Sequence, residues 1–546
     1  MYRSAVVASR SDLRWVQRAA LIAACSGGCS ERSDCACADD PPRGPHVAWF
    51  ADATAGSGID FRYAAVDFRG GALTIADLDG DDLPEIITGR RIGGLSLFSN
   101  RGGLRFREVT DSGLDPEAEV GAITAADLDN DGDRDLIIAG PGTARVMANH
   151  GDGTFEEAAR FDDSGHTEHV LAVDLDGDGL LDLYFGNYDL TSRTNTLNRL
   201  YMNRGRLAFA HAGTVGSGLT WTTTAFDVDD DGDQDLYVAN DTLLADFGRP
   251  GAVPPTSSMP PDLLLRNDGP GADGVPRFTN VAMTMGLGTP RSSMGGLLGD
   301  LDDDGRVDLY VPDYGAKKLF VRDPAAGYVD RAPPLGLDAT VRANSRCAPG
   351  VDNELCLLLS WSAVLSDFDL DGRDDLVVAS GETEPGRPPP VVVLTRGADP
   401  AFHEVSTDLG CQDARAMIAT DLDGDGDQDV AIAHKDGPLK IFETRGRPAA
   451  GAWLRVLLHG QASNRDGVGA VVTARLAGGR RVPRVVGAGG VIHSSGPAEA
   501  FFGLGHEAGA GAGREAVEAL EVQWPSGRRT EVARPPTGAT LIVEED

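Results

Sequence analysis

Beyond its N-terminal leader the chain contains no run of 18 apolar residues, so nothing there reads as a membrane-spanning helix. Basic residues are also scarce. Lys and Arg number 49 against 84 Asp and Glu, for a formal net charge of −35. So acidic a chain is repelled by phosphate backbones and anionic lipid surfaces, which excludes nucleic acid as a partner. The signatures of common catalytic sites are absent too. No GxSxG elbow occurs. His166 and His169 form an HxxH in a strand-like segment, without the Glu and the i,i+4 spacing of a zinc-protease helix. The Gly-rich stretch 505–515, GHEAGAGAGRE, lacks the strand–turn–helix context of a nucleotide site.

What the chain has in abundance is one acidic nonapeptide, written seven times. Its carboxylates fall at positions 1, 3, 5 and 9. They are Asp77, Asp79, Asp81 and Glu85 in the first copy and Asp127, Asp129, Asp131 and Asp135 in the second. Asp174, Asp176, Asp178 and Asp182 form the third, and Asp227, Asp229, Asp231 and Asp235 the fourth. Asp300, Asp302, Asp304 and Asp308, then Asp367, Asp369, Asp371 and Asp375, then Asp421, Asp423, Asp425 and Asp429 complete the series. A tight loop folds positions 1, 3 and 5 around one centre, position 7 offers a backbone carbonyl, and position 9 closes the shell. An all-oxygen cage of this kind suits Ca²⁺, with up to seven ions per chain. Without a cation the clustered carboxylates would repel one another or take up protons. The first copy departs by placing Asp82 where Gly is usual and Glu85 at the close, which predicts a weaker or distorted site. The loops are not EF-hands, because position 12 is an apolar residue or Thr within a short β-branched run such as LIIAG or LYVAN. Each loop therefore reads as the bend of a β-hairpin, with the metal clamping it.

Successive copies start 50, 47, 53, 73, 67 and 54 residues apart. Periods near 50 indicate solenoids or propellers. Two further strands follow most hairpins, as in LSLFSN and FREVTD, and four short antiparallel strands make one propeller blade. The expected fold is all-β: a seven-bladed β-propeller over residues 46–447 and a small β domain over 448–546. The last unit lacks a fourth strand, and VAWFADAT at 47–54 resembles one. That segment is expected to complete the seventh blade against residues 438–443. Seven Ca²⁺ would bring the charge from −35 to about −21, so much of the acidity is site chemistry.

Residues 1–24 read as an export signal: Arg3, Arg10, Arg14 and Arg18, a short apolar AALIAA, then Ile22-Ala23-Ala24-Cys25, which resembles a bacterial lipobox. Lipidation on Cys25 is one expectation; an ordinary cleaved signal or a misassigned start is the other. Residues 25–45 read as a disordered tether, and Cys347 with Cys356 as a local disulfide in an oxidising compartment. Export suits weak calcium sites, which fill where calcium is near millimolar. The expected location is a bacterial outer membrane or cell surface, or secretion, and the expected state is monomeric.

After Arg447 the acidic loops stop. SNRDGVGAVV, FFGLGHE and VEALEVQWPSGRR resemble the ASPIC/UnbV domain. An FG-GAP/VCBS-type propeller followed by that domain resembles the cartilage acidic protein-like family over residues 46–546. The resemblance implies extracellular calcium binding and no established catalysis. Asn464, Gly467, Gly469, Gly503, Gly505, Trp524, Pro525 and Gly527 read as fold determinants. One departure is Val491–Ser495, VIHSS, where the family has an aromatic-Leu-Ser-Gln run.

Long insertions at 187–198, 241–261 and 332–360 fall on the face opposite the metal loops, where binding commonly sits. Tyr188, Trp221, Asn240, Asp241, Asp313, Tyr314 and Trp361 gather at strand ends there, as candidates for holding a sugar or an extended peptide. The competing reading is that the Asn and Asp end strands and the tryptophans pack between blades. The function expected is thus a cell-surface or extracellular binding or adhesion module for a glycan or protein. The alternative is a calcium-dependent polysaccharide lyase or hydrolase, although the abundant carboxylates are already committed to metal cages.

Overall fold

The computed structural model describes residues 44–64, 69–162, 165–190, 196–242, 260–338, 359–381, 390–397, 399–410, 413–445, 452–487, 492–505 and 516–546. Cys25, the export signal, nearly all of the tether, the Cys347–Cys356 pair and most of the three insertions lie outside them.

Strand is the dominant structure, and the only helix among the described residues is one turn, Thr54–Ser57. Each acidic loop connects the first two strands of a four-stranded antiparallel meander, for example Ala122–Ala126, Asp135–Gly140, Thr143–Asn149 and Phe155–Phe161. Loop position 9 starts the second strand in every unit, as Asp135 does here. The bend needs two left-handed residues, at positions 4 and 6. In the second loop these are Asn130 (φ 63°) and Gly132 (φ 104°), and in the first Gly80 (φ 74°) and Asp82 (φ 69°). Glycine reaches that region without strain, whereas Asp82 carries a Cβ there.

The last unit borrows its outer strand from the N-terminus. Phe50 pairs with Thr444, Ala51 with Glu443 and Asp52 with Phe442, as the incomplete seventh meander predicts. A second thread, Arg62–Tyr63 on Gly437–Pro438, ties the same ends.

These meanders cannot bury both faces alone, so they bury them against one another. Apolar clusters join the first unit to the second (Leu97 with Met147), the second to the third (Ile137 with Leu183) and the third to the fourth (Tyr184 with Leu236). Others join the fourth to the fifth (Tyr237 with Leu309), the fifth to the sixth (Tyr310 with Val378) and the sixth to the seventh (Val393 with Ile432). A further cluster joins the seventh unit back to the first through Ile441 and Phe98. The result is a propeller-like arrangement of four-stranded sheets.

Residues 452–546 form their own β core, with Leu454, Val472, Leu520 and Trp524 at its centre. Trp453–His459 lies between Ala500–Gly503 and Ala539–Glu544, and a second sheet orders Arg481–Val485, Val471–Leu476, Val517–Gln523 and Arg529–Ala533. The resemblance-derived positions serve this fold. Asn464 is buried and bridges to Val468 at 2.9 and 2.7 Å, Gly467 adopts φ 63°, and Trp524 donates from Nε1 to Thr530 Oγ1 at 3.0 Å. Glu545 ties the ends together. Its carboxylate accepts the N–H groups of Gln461, Ala462 and Ser463 at 2.6 to 2.9 Å. Burial would raise its pKa, but these hydrogen bonds and that of Ser526 hold it down at about 2.

This domain sits on the acidic-loop end of the repeat units. Arg465 N–H donates to Asn130 Oδ1 (2.8 Å), Gln234 Nε2 to Gly469 O (3.4 Å), and Arg480 Nη2 to Gly372 O (2.5 Å). Arg134 pairs with Asp466 at 3.1 Å and Arg484 with Asp374 at 2.5 Å. Loop positions 4, 6 and 8, which carry none of the four carboxylates, are thus used for docking. From the same domain a short segment enters the middle of the repeat array, where Ser494–Ser495 pairs in parallel with Leu73–Thr74.

Candidate metal loops and central cluster

Within each loop the backbone is organised around the first carboxylate. Asp127 accepts the N–H groups of Asp131 and Gly132 at 3.1 and 2.9 Å, and Asp367 does the same with Asp371 and Gly372 at 2.9 and 2.8 Å. The position-5 carboxylate accepts the N–H of position 7, as in Asp178 with Leu180 at 2.9 Å. Carboxylate oxygens of Asp77, Asp79 and Glu85 lie within 4.8 Å of one another. So do those of Asp127, Asp129 and Asp131, of Asp174, Asp176 and Asp182, of Asp227, Asp229 and Asp231, and of Asp300, Asp302 and Asp304.

Position 9 has a second task beside closing the cage. Asp135 Oδ2 accepts the Leu128 N–H at 3.1 Å and Oδ1 accepts that of Asn149 at 3.0 Å, which fastens the loop to the third strand. Glu85, Asp182 and Asp235 repeat the pattern with Asn100, Asn203 and Asn267.

These cages are electrostatically unfavourable without a cation. Burial, reinforced by neighbouring loop carboxylates, raises Asp127, Asp135, Asp235 and Asp300 to about 7, Asp182 and Asp308 to about 8, and Asp429 to about 9. Asp79 Oδ1, Asp129 Oδ1 and Asp176 Oδ1 are buried with no hydrogen-bond partner among the described residues. A donor set made only of oxygens, some of them buried and unpartnered, fits a hard cation.

One set of residues escaped the sequence reading. Asn149 Nδ2 donates to Arg134 O in its own unit and to Leu78 O in the preceding loop, both at 2.9 Å. Asn203 reaches Leu128 O (2.7 Å), Asn267 reaches Leu175 O (2.8 Å), and Asn100 closes the series by reaching Leu422 O (2.9 Å). In the sixth unit Arg396 Nη1 takes this role, donating to Leu301 O at 2.8 Å. The signal was present as a repeated Asn-x-Gly after the third strand: Asn100-Arg-Gly102, Asn149-His-Gly151, Asn203-Arg-Gly205 and Asn267-Asp-Gly269. In each, the glycine N–H returns to the Asn Oδ1, at 3.0 Å in the second unit.

The candidate ligand residues do converge, but not on an open surface. Tyr188 stacks on Trp221 at 4.0 Å, Trp221 meets Trp361 edge-on at 5.5 Å, and the Tyr188 hydroxyl donates to Asp241 Oδ2 at 2.8 Å. Tyr188, Trp221 and Trp361 are 0, 0 and 3 % exposed, Asn240, Asp241 and Asp313 are buried, and Tyr314 is half-buried. The exposed ligand platform is therefore corrected to a packed interior cluster, in line with the competing reading that the tryptophans pack between units. The cause is geometric: these residues end or begin inner strands, where adjacent units converge. Ile492 and His493, just before the paired Ser494–Ser495, then fill the remaining space, with His493 5.8 Å from the Trp221 ring. Beneath them buried Glu168 pairs with Arg69 and Arg91 at 2.8 and 2.5 Å. His169 is buried in its strand, accepting the Thr223 N–H at 3.3 Å, and desolvation lowers it to about 3.

A family model described as FG-GAP-like repeat matches residues 77–138, 127–185 and 367–432, and one described as ASPIC and UnbV matches 460–546. Cartilage acidic protein 1 of Mus musculus is 22% identical over 520 residues, covering 79% of this chain and 75% of that protein. The Homo sapiens protein is 23% identical over 517 residues, covering 79% and 73%. Neither name denotes an enzyme. Among solved structures, an Agrocybe aegerita lectin that recognises non-reducing terminal N-acetylglucosamine aligns over 63% of this chain and 81% of its own, with 16% identity and a TM-score of 0.39. The chain thus joins FG-GAP-like repeats to an ASPIC and UnbV domain, an architecture it shares by homology with cartilage acidic protein 1.

Proposed function

We propose that this chain is an exported, calcium-loaded, seven-bladed β-propeller that serves outside the cell as a binding module for a glycan or protein. The reading is carried by the cages, in which unpartnered buried oxygens and carboxylates raised toward neutrality recur in register. Filling them with Ca²⁺ would convert mutual repulsion into cross-links between each hairpin and its loop. Extracellular calcium levels and homology to cartilage acidic protein 1 both support export. Among the described residues no helix is long and apolar enough to cross a membrane.

A catalytic role draws little support from this arrangement. Glu168, a buried acid near the centre, is paired with Arg69 and Arg91 and shut away from solvent. Calorimetry of the chelator-stripped chain against Ca²⁺ tests the proposal. Several ions per chain and a melting temperature raised by many degrees are expected. One ion or fewer, with an unchanged melting curve, would end it.

A further inference from the structure

A cleft of about 600 Å³ opens between the metal-loop ends of the fourth and fifth units and the C-terminal domain. We propose that it binds a short neutral oligosaccharide, a proposal that rests on the binding-module reading above and gives that module its site. The volume is that of an ordinary small-ligand site, and an interface between two domains is a common place for one. Tyr328 and Val485 supply apolar wall from opposite sides.

The polar groups on those walls want a particular kind of guest. Gln234 is 6 % exposed, its Nε2 reaches Gly469 O at 3.4 Å, and its Oε1 has no partner among the described residues. A buried acceptor left without a donor is unfavourable, and Gln234 lines the cleft from which a ligand hydroxyl would be offered to it. On the rim, Arg306 is exposed and forms no ion pair among the described residues, and the Gln523 amide is exposed beside it. A buried acceptor with outward donors, set on apolar walls, matches the alternating hydroxyls and C–H faces of a sugar.

Two other guests fit less well. An extended peptide would add to a sheet edge, yet the edge strand here, Arg481–Val485, carries Pro483 in the cleft wall and so lacks one of the main-chain donors such pairing needs. A polyanion would meet Asp230 at the mouth of a chain whose net charge is −35, and Arg322 in the cleft wall is already paired with that Asp230 at 2.7 Å.

The calcium-loaded full chain should be titrated, by saturation-transfer NMR and calorimetry, with di- and trisaccharides of glucose, galactose, mannose and N-acetylglucosamine. At least one is expected to bind below the millimolar range. Arg306→Ala and Gln523→Ala should each weaken it about tenfold, as for one lost hydrogen bond. The Gln523 side chain is exposed and lies outside the acidic loops, so Gln523→Ala should keep the parent's melting temperature and bound calcium. No binding by any of these sugars at millimolar concentration, or binding indifferent to both substitutions, overturns the cleft assignment while leaving the calcium reading intact. A calcium stoichiometry near zero, measured on the same samples, strikes that reading instead.

Discussion

At the scale of single residues, the loop carboxylates make a prediction whose sign depends on whether metal is present. In the metal-free chain burial holds Asp127 and Asp135 near 7 and Asp182 near 8, well above the ordinary value near 4 of an unfolded chain. A folded-state value above the unfolded one stabilises the fold at low pH, and that stability is lost as pH rises through the folded value. The chelated protein should therefore melt at progressively lower temperature between pH 5 and 8, a window set by those raised carboxylates. Calcium requires the ionised form, so the loaded protein should hold or gain stability over the same range. Parallel melting profiles with and without chelator would contradict the cage geometry. The interior asparagines give a second test. Asn149→Ala removes two donors and leaves Leu78 O and Arg134 O buried without them, at a cost of about 2–4 kcal/mol in chemical denaturation. Asn149→Asp should be no better, because it offers an acceptor to two acceptors.

At the scale of elements, the borrowed outer strand decides whether the array is closed. Phe50 packs into the cluster shared by the sixth and seventh units, its ring 5.3 Å from Phe368, and Lys440 reaches Asp52 at 2.6 Å. A chain starting at residue 56 would leave Lys440–Thr444 as a bare edge and expose that cluster. It should aggregate or unfold in a broad, less cooperative transition by circular dichroism, whereas removal of residues 1–40 should leave the melt unchanged. The borrowed strand was readable in advance because the last unit is one strand short and VAWFADAT has a fourth strand's pattern. The loops were readable for a similar reason: carboxylates crowded at every second position repel one another unless a cation gathers them. The asparagine bridges were just as visible, as Asn-x-Gly, but one such motif looks like any turn, and only the distance from Asn149 to Leu78 reveals its second partner. For Trp221 and Trp361 two readings stayed open in the sequence, an exposed ligand platform or packing between blades. An aromatic residue opening an inner strand reads the same whether a channel is open or filled. The filler, Ile492–His493, arrives from a segment more than a hundred residues away, and two pairs of strand contacts leave no periodic trace.

At the scale of the whole molecule, the C-terminal domain rests on the acidic loops, where the proposed cations would sit. It does not touch one loop but several, at positions that alternate with the four carboxylates: Asn130 at position 4, Gly372 at position 6, Gln234 and Asp374 at position 8. Asn130 and Gly372 hold left-handed backbone, with φ 63° and 91°, and are placed by the same turns that gather the carboxylates. Close approach adds a steric element, since a Cβ on Gly426 would strike the Trp453 ring and one on Gly503 the Asp367 carboxylate. A loop that relaxes under the repulsion of its own charges must therefore move the donors and contacts on which the domain rests. Inter-domain surfaces of this polar kind separate more readily than cores do. Calcium removal is accordingly expected to loosen the docking before either part unfolds. Small-angle scattering should show a larger radius of gyration with chelator than with Ca²⁺. Calorimetry should resolve two transitions where the loaded chain gives one, the second belonging to the domain whose own core is closed by Glu545. Arg484→Ala with Arg480→Ala should move the loaded protein part of the way toward that state, because both arginines reach the sixth loop. If chelation lowers the melting temperature while the radius and the single transition persist, the domain rests on the loops without responding to them.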